Sequence, residues 1–284
     1  MNRKTRNGNY QILALVFGIA CFCCLVWLAA YLTGLNRAET EMEEIRESYV
    51  KQGGGPMPEN EGTPEESVSD EILSGEISRE EHPEYGITDK TVDFAALQEE
   101  VNGDIYAWIF VPGTAIDYPV VQHPEEMDYY LEYNLDGTKG RPGGIYTQRM
   151  NSRNWTDPNT VIYGHNMRNG TMFADLHKYE DADFFAENRY VHIYTEDGRI
   201  LVYEIFAAYV TDNSHLLLTK NIYTEAGFQS YLDDIPTHTG KNCNFLEERE
   251  VTSQDRILTL STCVYGQNDK RYLVQGVLVL EEQP

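Results

Sequence analysis

The sequence predicts a mostly-β domain, a barrel or sandwich with helices decorating it. Three observations predict this class. Runs of β-branched and aromatic residues recur at short spacing from about residue 105 to the C-terminus. Only a few helical patterns interrupt them, so the order is not the strand–helix alternation of a parallel α/β sheet. An Asp-Gly pair, Asp197-Gly198, sits between two alternating runs, the signature of a tight hairpin. There is no internal repeat.

Taken in order, the chain opens with "MNRKTRNGNY", which carries Arg3, Lys4 and Arg6. Gln11 to Leu35 then contains no charged residue. About 20 apolar residues at ~1.5 Å rise cross a ~30 Å hydrocarbon layer. With the basic residues in front, the positive-inside rule places residues 1–10 in the cytoplasm, 11–35 in the membrane and the rest outside. A cleaved signal peptide is the competing reading. Its apolar core is shorter, about 7–15 residues, and ends in a small-residue site that "WLAAYLTG" resembles poorly. "NRAETEMEEIRESYVKQ" has helical spacing and extends the apolar helix. Beyond it, Gly, Pro, Glu and Ser dominate, and such a composition buries too little apolar surface to offset chain entropy. Residues 36–87 therefore read as an acidic, largely disordered stalk, and 88–284 as an extracytoplasmic domain.

Within that domain "TDKTVDFAALQEEV" is a short amphipathic helix, with Phe94, Leu97 and Val101 on one face. Eight runs then read as strands: "IYAWIFV", "IDYPVVQ", "GGIYTQ", "NTVIYGH", "YVHIYT", "RILVYEIFAAYV", "RILTLSTCVY" and "RYLVQGVLVL". "TMFADLHKYEDADFFAEN" and "TEAGFQSYLDDI" are helical interruptions, the second between two late strands.

Charge and cysteine content narrow the function. A formal charge of -24 excludes nucleic acid as the main partner, because phosphate binding needs clustered Lys and Arg. Cys21, Cys23 and Cys24 fall in the apolar run and read as apolar filler. That leaves Cys243 and Cys263, which could pair as a disulfide outside the cell. Outside the apolar run no CxxC or His/Cys cluster has zinc spacing, so no metal is expected.

Three residues stand out for chemistry. In "ILTLSTC", alternation places Thr259, Ser261 and Cys263 on one face, with the thiol at the strand end. His165 follows a glycine at the end of "NTVIYGH", where a side chain can face a cleft. Arg271, eight residues after Cys263, opens the next strand and comes near the thiol if the two strands pair. A thiol needs a base or cation to become thiolate, and acyl chemistry needs an oxyanion donor. Each residue also has a plain structural reading: a buried small thiol, a strand-end histidine, a surface arginine. His177, in an acidic helix, and His192, in a strand, read as structural.

"TLSTC" with the following arginine, preceded by "NTVIYGHNM" and "GTMFADL", resembles a sortase. Sortases are the membrane-anchored cysteine transpeptidases of Gram-positive cell walls. The "GHNM" and "MFADL" motifs, the N-terminal helix and the helix between late strands resemble class B in particular, over about residues 88–282. The resemblance implies a closed β-barrel of about eight strands, with helices at the N-terminus and between strands six and seven. It implies Cys263 as nucleophile, His165 as general acid/base and Arg271 as oxyanion or substrate-positioning group, with Ser261 lining the substrate groove. It implies no cofactor. The implied partners are secreted proteins bearing a C-terminal sorting signal and a peptidoglycan amine that accepts the acyl group. Two rival readings stand beside it: a pilin-polymerising enzyme using a lysine acceptor, and an anchored binding module with an inert Cys263. A papain-like hydrolase would place its cysteine at a helix N-terminus, whereas Cys263 ends a strand.

Overall fold

The computed structural model describes residues 4–52, 85–87 and 90–283. The chain divides into two compact units, Met1–Ile45 and Arg46–Pro284. The first is the body of one helix, α1 (Lys4–Tyr49). Its side chains at Leu15, Phe17, Phe22 and Trp27 are exposed. Among the described residues, no helix is long and apolar enough to cross a membrane. The helix persists through residues expected to begin the stalk, as the spacing of "NRAETEMEEIRESYVKQ" indicated. Residues 53–84 of that expected stalk lie outside the described residues.

In the second unit, β1 (Val50–Gln52) pairs antiparallel with β2 (Lys90–Val92). The helix expected from residue 88 is therefore shorter. Asp93 accepts a bond from the Ala96 amide at 3.1 Å and caps α2 (Phe94–Glu100). The residues before the cap become strand because Lys90 is drawn inward. Its ammonium is buried in an ion pair with Asp117 and lies 4.3 Å from the Phe110 ring centre. Burial lowers the Lys90 pKa, against the pull of Asp117. Asp117 also accepts from Trp108 Nε1 at 2.6 Å.

Eight strands close a barrel: β3 (Ile105–Phe110), β4 (Asp117–Val121), β5 (Ile145–Thr147), β6 (Asn159–Tyr163), β7 (Tyr190–Thr195), β8 (Ile200–Asp212), β10 (Ile257–Val264) and β11 (Gln267–Glu282). All eight correspond to the runs read from the sequence. Their order around the barrel is β11-β10-β6-β5-β4-β3-β7-β8, and the β8–β11 pairing closes the ring. β9 (Asn244–Phe245) is a short addition on β8. The β4–β5 and β6–β10 pairs are parallel, and the other neighbours are antiparallel. The β7–β8 hairpin turns at Gly198, whose φ of 87° suits a residue without Cβ.

The helical pattern after Gly170 becomes a 3₁₀ helix (Ala174–Glu180) followed by a short α-helix (Ala182–Glu187). Between β8 and β10, barrel strands six and seven, lies the expected helix, Glu225–Asp234, capped by Thr224. Phe228, Tyr231 and Leu232 fall on one face at i, i+3 and i+4. They pack on Val161, Tyr209, Ile257 and Leu273, so this helix covers the outward face of β6, β10, β11 and β8. Burying each such side chain contributes about 1.5–3 kcal/mol. A polar seam fixes the register beneath it. Gln275 donates to Tyr231 Oη at 2.6 Å and to Thr259 Oγ1 at 2.8 Å. Thr259 shares its face of β10 with Ser261 and Cys263, so the thiol emerges at the end of the covered face.

Candidate active site

Cys263 is exposed near the end of β10, the strand flanked by β6 and β11. That placement brings the three singled-out residues together. On one side, β10 and β6 run parallel with Ser261 paired to Tyr163, so both strands finish at the same edge of the barrel. Two residues beyond that pair are Cys263 and His165. On the other side, Cys263 and Arg271 are direct cross-strand partners. Such partners have Cβ atoms about 5 Å apart. Arg271 does not open its strand as the sequence suggested: β11 starts at Gln267. A bulge between Cys263 and Val264 and a turn at Gly266, φ 74°, let the strand begin earlier and keep Arg271 opposite the thiol.

His165 is held by close packing. The Gly164 amide donates to the Ser261 carbonyl at 3.2 Å, and Thr262 Oγ1 donates back to the Gly164 carbonyl at 2.8 Å. A Cβ on Gly164 would lie 2.5 Å from Ile145 Cδ1 and 2.7 Å from the Phe173 ring, so the position admits only glycine without movement. His165 Nε2 lies 2.8 Å from the Leu131 carbonyl. That oxygen can only accept, so Nε2 carries the proton. Burial lowers the His165 pKa below the ordinary histidine range; the Leu131 bond opposes this and Arg141 adds to it. The Arg271 guanidinium donates through Nη1 to the carbonyls of Asn268 at 3.2 Å and Lys270 at 2.8 Å.

The three residues share a cleft of about 480 Å³, lined also by Leu131, Tyr163, Thr219 and Ser261. Ser261, expected to line a groove, does so from its buried position beside the thiol. Tyr146 and Tyr163 form one wall, and burial pushes both phenols well up, so they serve as neutral, uncharged surface. The sulfurs of Cys243 and Cys263 are both free, so the disulfide reading does not hold. Among the described residues, no group of three His, Cys, Asp or Glu is arranged to hold a metal ion.

Two further residues, one of them read from sequence as structural, hold the Cys263 backbone. Asn166 Nδ2 donates to the Cys263 carbonyl at 3.0 Å. His177 Nε2 lies 3.0 Å from the same oxygen, and its Nδ1 lies 2.6 Å from Glu180 Oε1. His177 is 86 residues from Cys263 along the chain, and no local pattern signals the contact. Asn166, directly after His165, was within the quoted "GHNM".

A family model described as "Sortase domain" matches residues 109–279. Among curated proteins, the chain is 35% identical over 185 residues to "Sortase B" of Listeria monocytogenes, covering 64% of this chain and 72% of that one. It is 29% identical over 183 residues to "Sortase B" of Staphylococcus aureus, with the same coverage, 64% and 72%. Among solved structures, the X-ray structure of Clostridium perfringens sortase B superposes with a TM-score of 0.58 at 35% identity, over 66% of this chain and 99% of that one. The Staphylococcus aureus sortase B–substrate complex superposes with a TM-score of 0.57 at 28% identity, over 66% and 84%.

Proposed function

This chain belongs to the sortase family, class B, whose members are cysteine transpeptidases, and from that premise we propose the following roles and reaction. Cys263 is the nucleophile, His165 the general acid/base, and Arg271 the group that meets the oxyanion. The supporting observation is the strand arrangement, with Cys263 on a central strand between the parallel strand that ends in His165 and the antiparallel strand that carries Arg271. The reading as an inert binding module gives way, because the family is enzymatic.

The substrate is a secreted protein with a C-terminal sorting signal of Asn-Pro-x-Thr-like or Pro-x-Thr-Gly-like type. A relative of this chain has been solved as a "sortase B-substrate complex", which supports substrate binding by this fold. The Cys263 thiolate attacks the Thr carbonyl. The developing oxyanion is met by Arg271, whose Nε and Nη2 make no hydrogen bonds among the described residues. His165 gives a proton to the leaving amine, which leaves a thioester between Thr and Cys263. A peptidoglycan amine then attacks that thioester, His165 takes its proton, and the Cys263 thiolate leaves, restoring the charged pair. Burial disfavours the imidazolium of His165, which lowers the share of molecules that hold the proton donor at rest.

The enzyme is anchored by residues 11–35, with residues 1–10 in the cytoplasm and the barrel outside. This rests on the sequence. The stretch of α1 with described side chains, 14–29, is about 24 Å long at ~1.5 Å per residue, too short alone. The uncharged run from Gln11 to Leu35 extends past it at both ends. The acidic segment that follows serves as the spacer between membrane and catalytic domain.

Replacing Cys263 by Ala tests the chemistry. The variant should melt like the native domain and neither cleave nor be acylated by sorting peptides. Retained cleavage would reassign the nucleophile.

A further inference from the structure

His177 is a titratable group in contact with the Cys263 backbone that the reaction above leaves unused. Its ring has two short contacts, and both partners are acceptors. Nε2 faces the Cys263 carbonyl at 3.0 Å, and Nδ1 faces Glu180 Oε1 at 2.6 Å. A neutral imidazole has one donor and one acceptor nitrogen. A carbonyl oxygen cannot donate, and neither can an ionised carboxylate. Both bonds are satisfied only when the ring carries a proton on each nitrogen.

The surroundings are built for that state. The ring stacks on Tyr272 of β11 with centroids 4.9 Å apart at 23°. Burial keeps the Tyr272 phenol neutral, so the face it offers is an uncharged π-surface. The other oxygen of Glu180 accepts from Asn242 at 2.7 Å, which fixes the carboxylate against the ring. Lys178, the next residue, is turned away into an ion pair with Asp175 at 2.8 Å. The groups facing His177 are therefore Glu180 on its own 3₁₀ helix, Tyr272 from β11, the Cys263 carbonyl from β10, and Asn242 with the neighbouring Cys243 from the segment after the strand six–seven helix.

We propose that His177, held by Glu180, is a positioning residue for the nucleophile: as a doubly protonated ring it clamps the Cys263 carbonyl at the β10 bulge and turns the positive end of its ion pair with Glu180 toward that residue. The inference rests on the reading of Cys263 as nucleophile and adds a second histidine to it. Its role differs from that of His165. His165 exchanges protons with the substrate, whereas His177 acts through the Cys263 backbone and its ion pair with Glu180. A nearby cation favours the thiolate.

The test is the rate of Cys263 alkylation by iodoacetamide from pH 5 to 10, on the native domain and on His177→Gln, His177→Leu and Glu180→Gln. Gln keeps a donor for the carbonyl but carries no charge, and Leu removes both. The site is open to water, so the effect of the charge lies at the weak end of such effects. Each variant should react about threefold slower at pH 7 and reach the native rate at pH 10, where the thiol is ionised regardless. The gap at pH 7 should shrink in 1 M salt, where the screening length is about 3 Å. Curves for a folded His177→Gln that coincide with native at every pH would overturn the proposal. So would a uniform slowing at all pH values, which would mean lost packing rather than lost charge. If His177→Leu does not fold, the Gln variant decides. A native Cys263 that resists iodoacetamide altogether would instead refute the nucleophile assignment beneath it.

Discussion

Replacing Gly164 by Ala perturbs both the barrel and the site through one methyl group. The new Cβ would sit 2.5 Å from Ile145 Cδ1 and 2.7 Å from two atoms of the Phe173 ring, well inside the contact distance of two carbons. Ile145 and Phe173 are buried, at 2% and 0% exposure, so neither can swing into solvent. Overpacking of this kind costs roughly 1–3 kcal/mol. For a domain of this size that corresponds to a fall in Tm of about 2–10 °C. The strain is delivered to the residue next to His165, and the Phe173 amide is itself bonded to the His165 carbonyl at 2.9 Å. A shift of about 1 Å in a catalytic group can cost on the order of 100-fold in rate. The assay is a thermal melt of the catalytic domain together with turnover of a sorting-motif peptide. Adding Ile145→Val, which deletes the Cδ1 methyl that the new Cβ strikes first, should restore part of the lost Tm. A Gly164→Ala domain with native melting and native turnover would refute the claim that close packing at Gly164 positions His165.

Arg271→Lys should lower kcat/KM at least tenfold, because the ammonium lacks the planar fork; turnover within twofold of native would leave Arg271 a structural residue. Asp117→Ala leaves the buried Lys90 ammonium without its carboxylate and removes the bond from Trp108, so chemical denaturation should show a loss of about 3–5 kcal/mol. His192 is fully buried, bonded to the Tyr85 carbonyl at 3.0 Å, and its pKa is lowered to about 4 by burial. The unfolded chain therefore binds the extra proton between about pH 6.5 and about 4, and stability must fall as pH falls through that window, by about 3 kcal/mol in total. His192→Gln should remove that part of the acid loss, and a variant whose stability falls with pH as steeply as native would contradict it.

All eight barrel strands were legible in the sequence, because a barrel wall buried on alternate or both faces leaves runs such as "IYAWIF" and "TVIYG" with few polar breaks. The helix over the outer face was legible from Phe228, Tyr231 and Leu232 at helical spacing. What remained hidden depends on distant pairing. β1 and β2 are three residues each, and they exist because residues 40 positions apart find each other and Lys90 finds Asp117. Arg271 read as a strand opener because "GQND" has turn composition, yet the bulge after Cys263 lets those residues pair as strand. The 3₁₀ helix that carries His177 read as a longer α-helix. Its tighter winding changes which face carries the histidine, and the contact with the Cys263 carbonyl is set by the barrel rather than by neighbours in sequence. The candidate triad was legible for the opposite reason: each member sits next to a local signal, a small-residue strand end, a glycine kink and an arginine in the following strand.

The central claim is that Cys263 carries the acyl group. The most direct measurement is intact-protein mass spectrometry of the catalytic domain after incubation with a panel of sorting-motif peptides, followed by digestion to locate any adduct. The expected result is a single acyl adduct on Cys263, ending at the Thr of the motif and released by an added amine. An adduct on any other residue, or peptide cleavage that persists in Cys263→Ala, would contradict it.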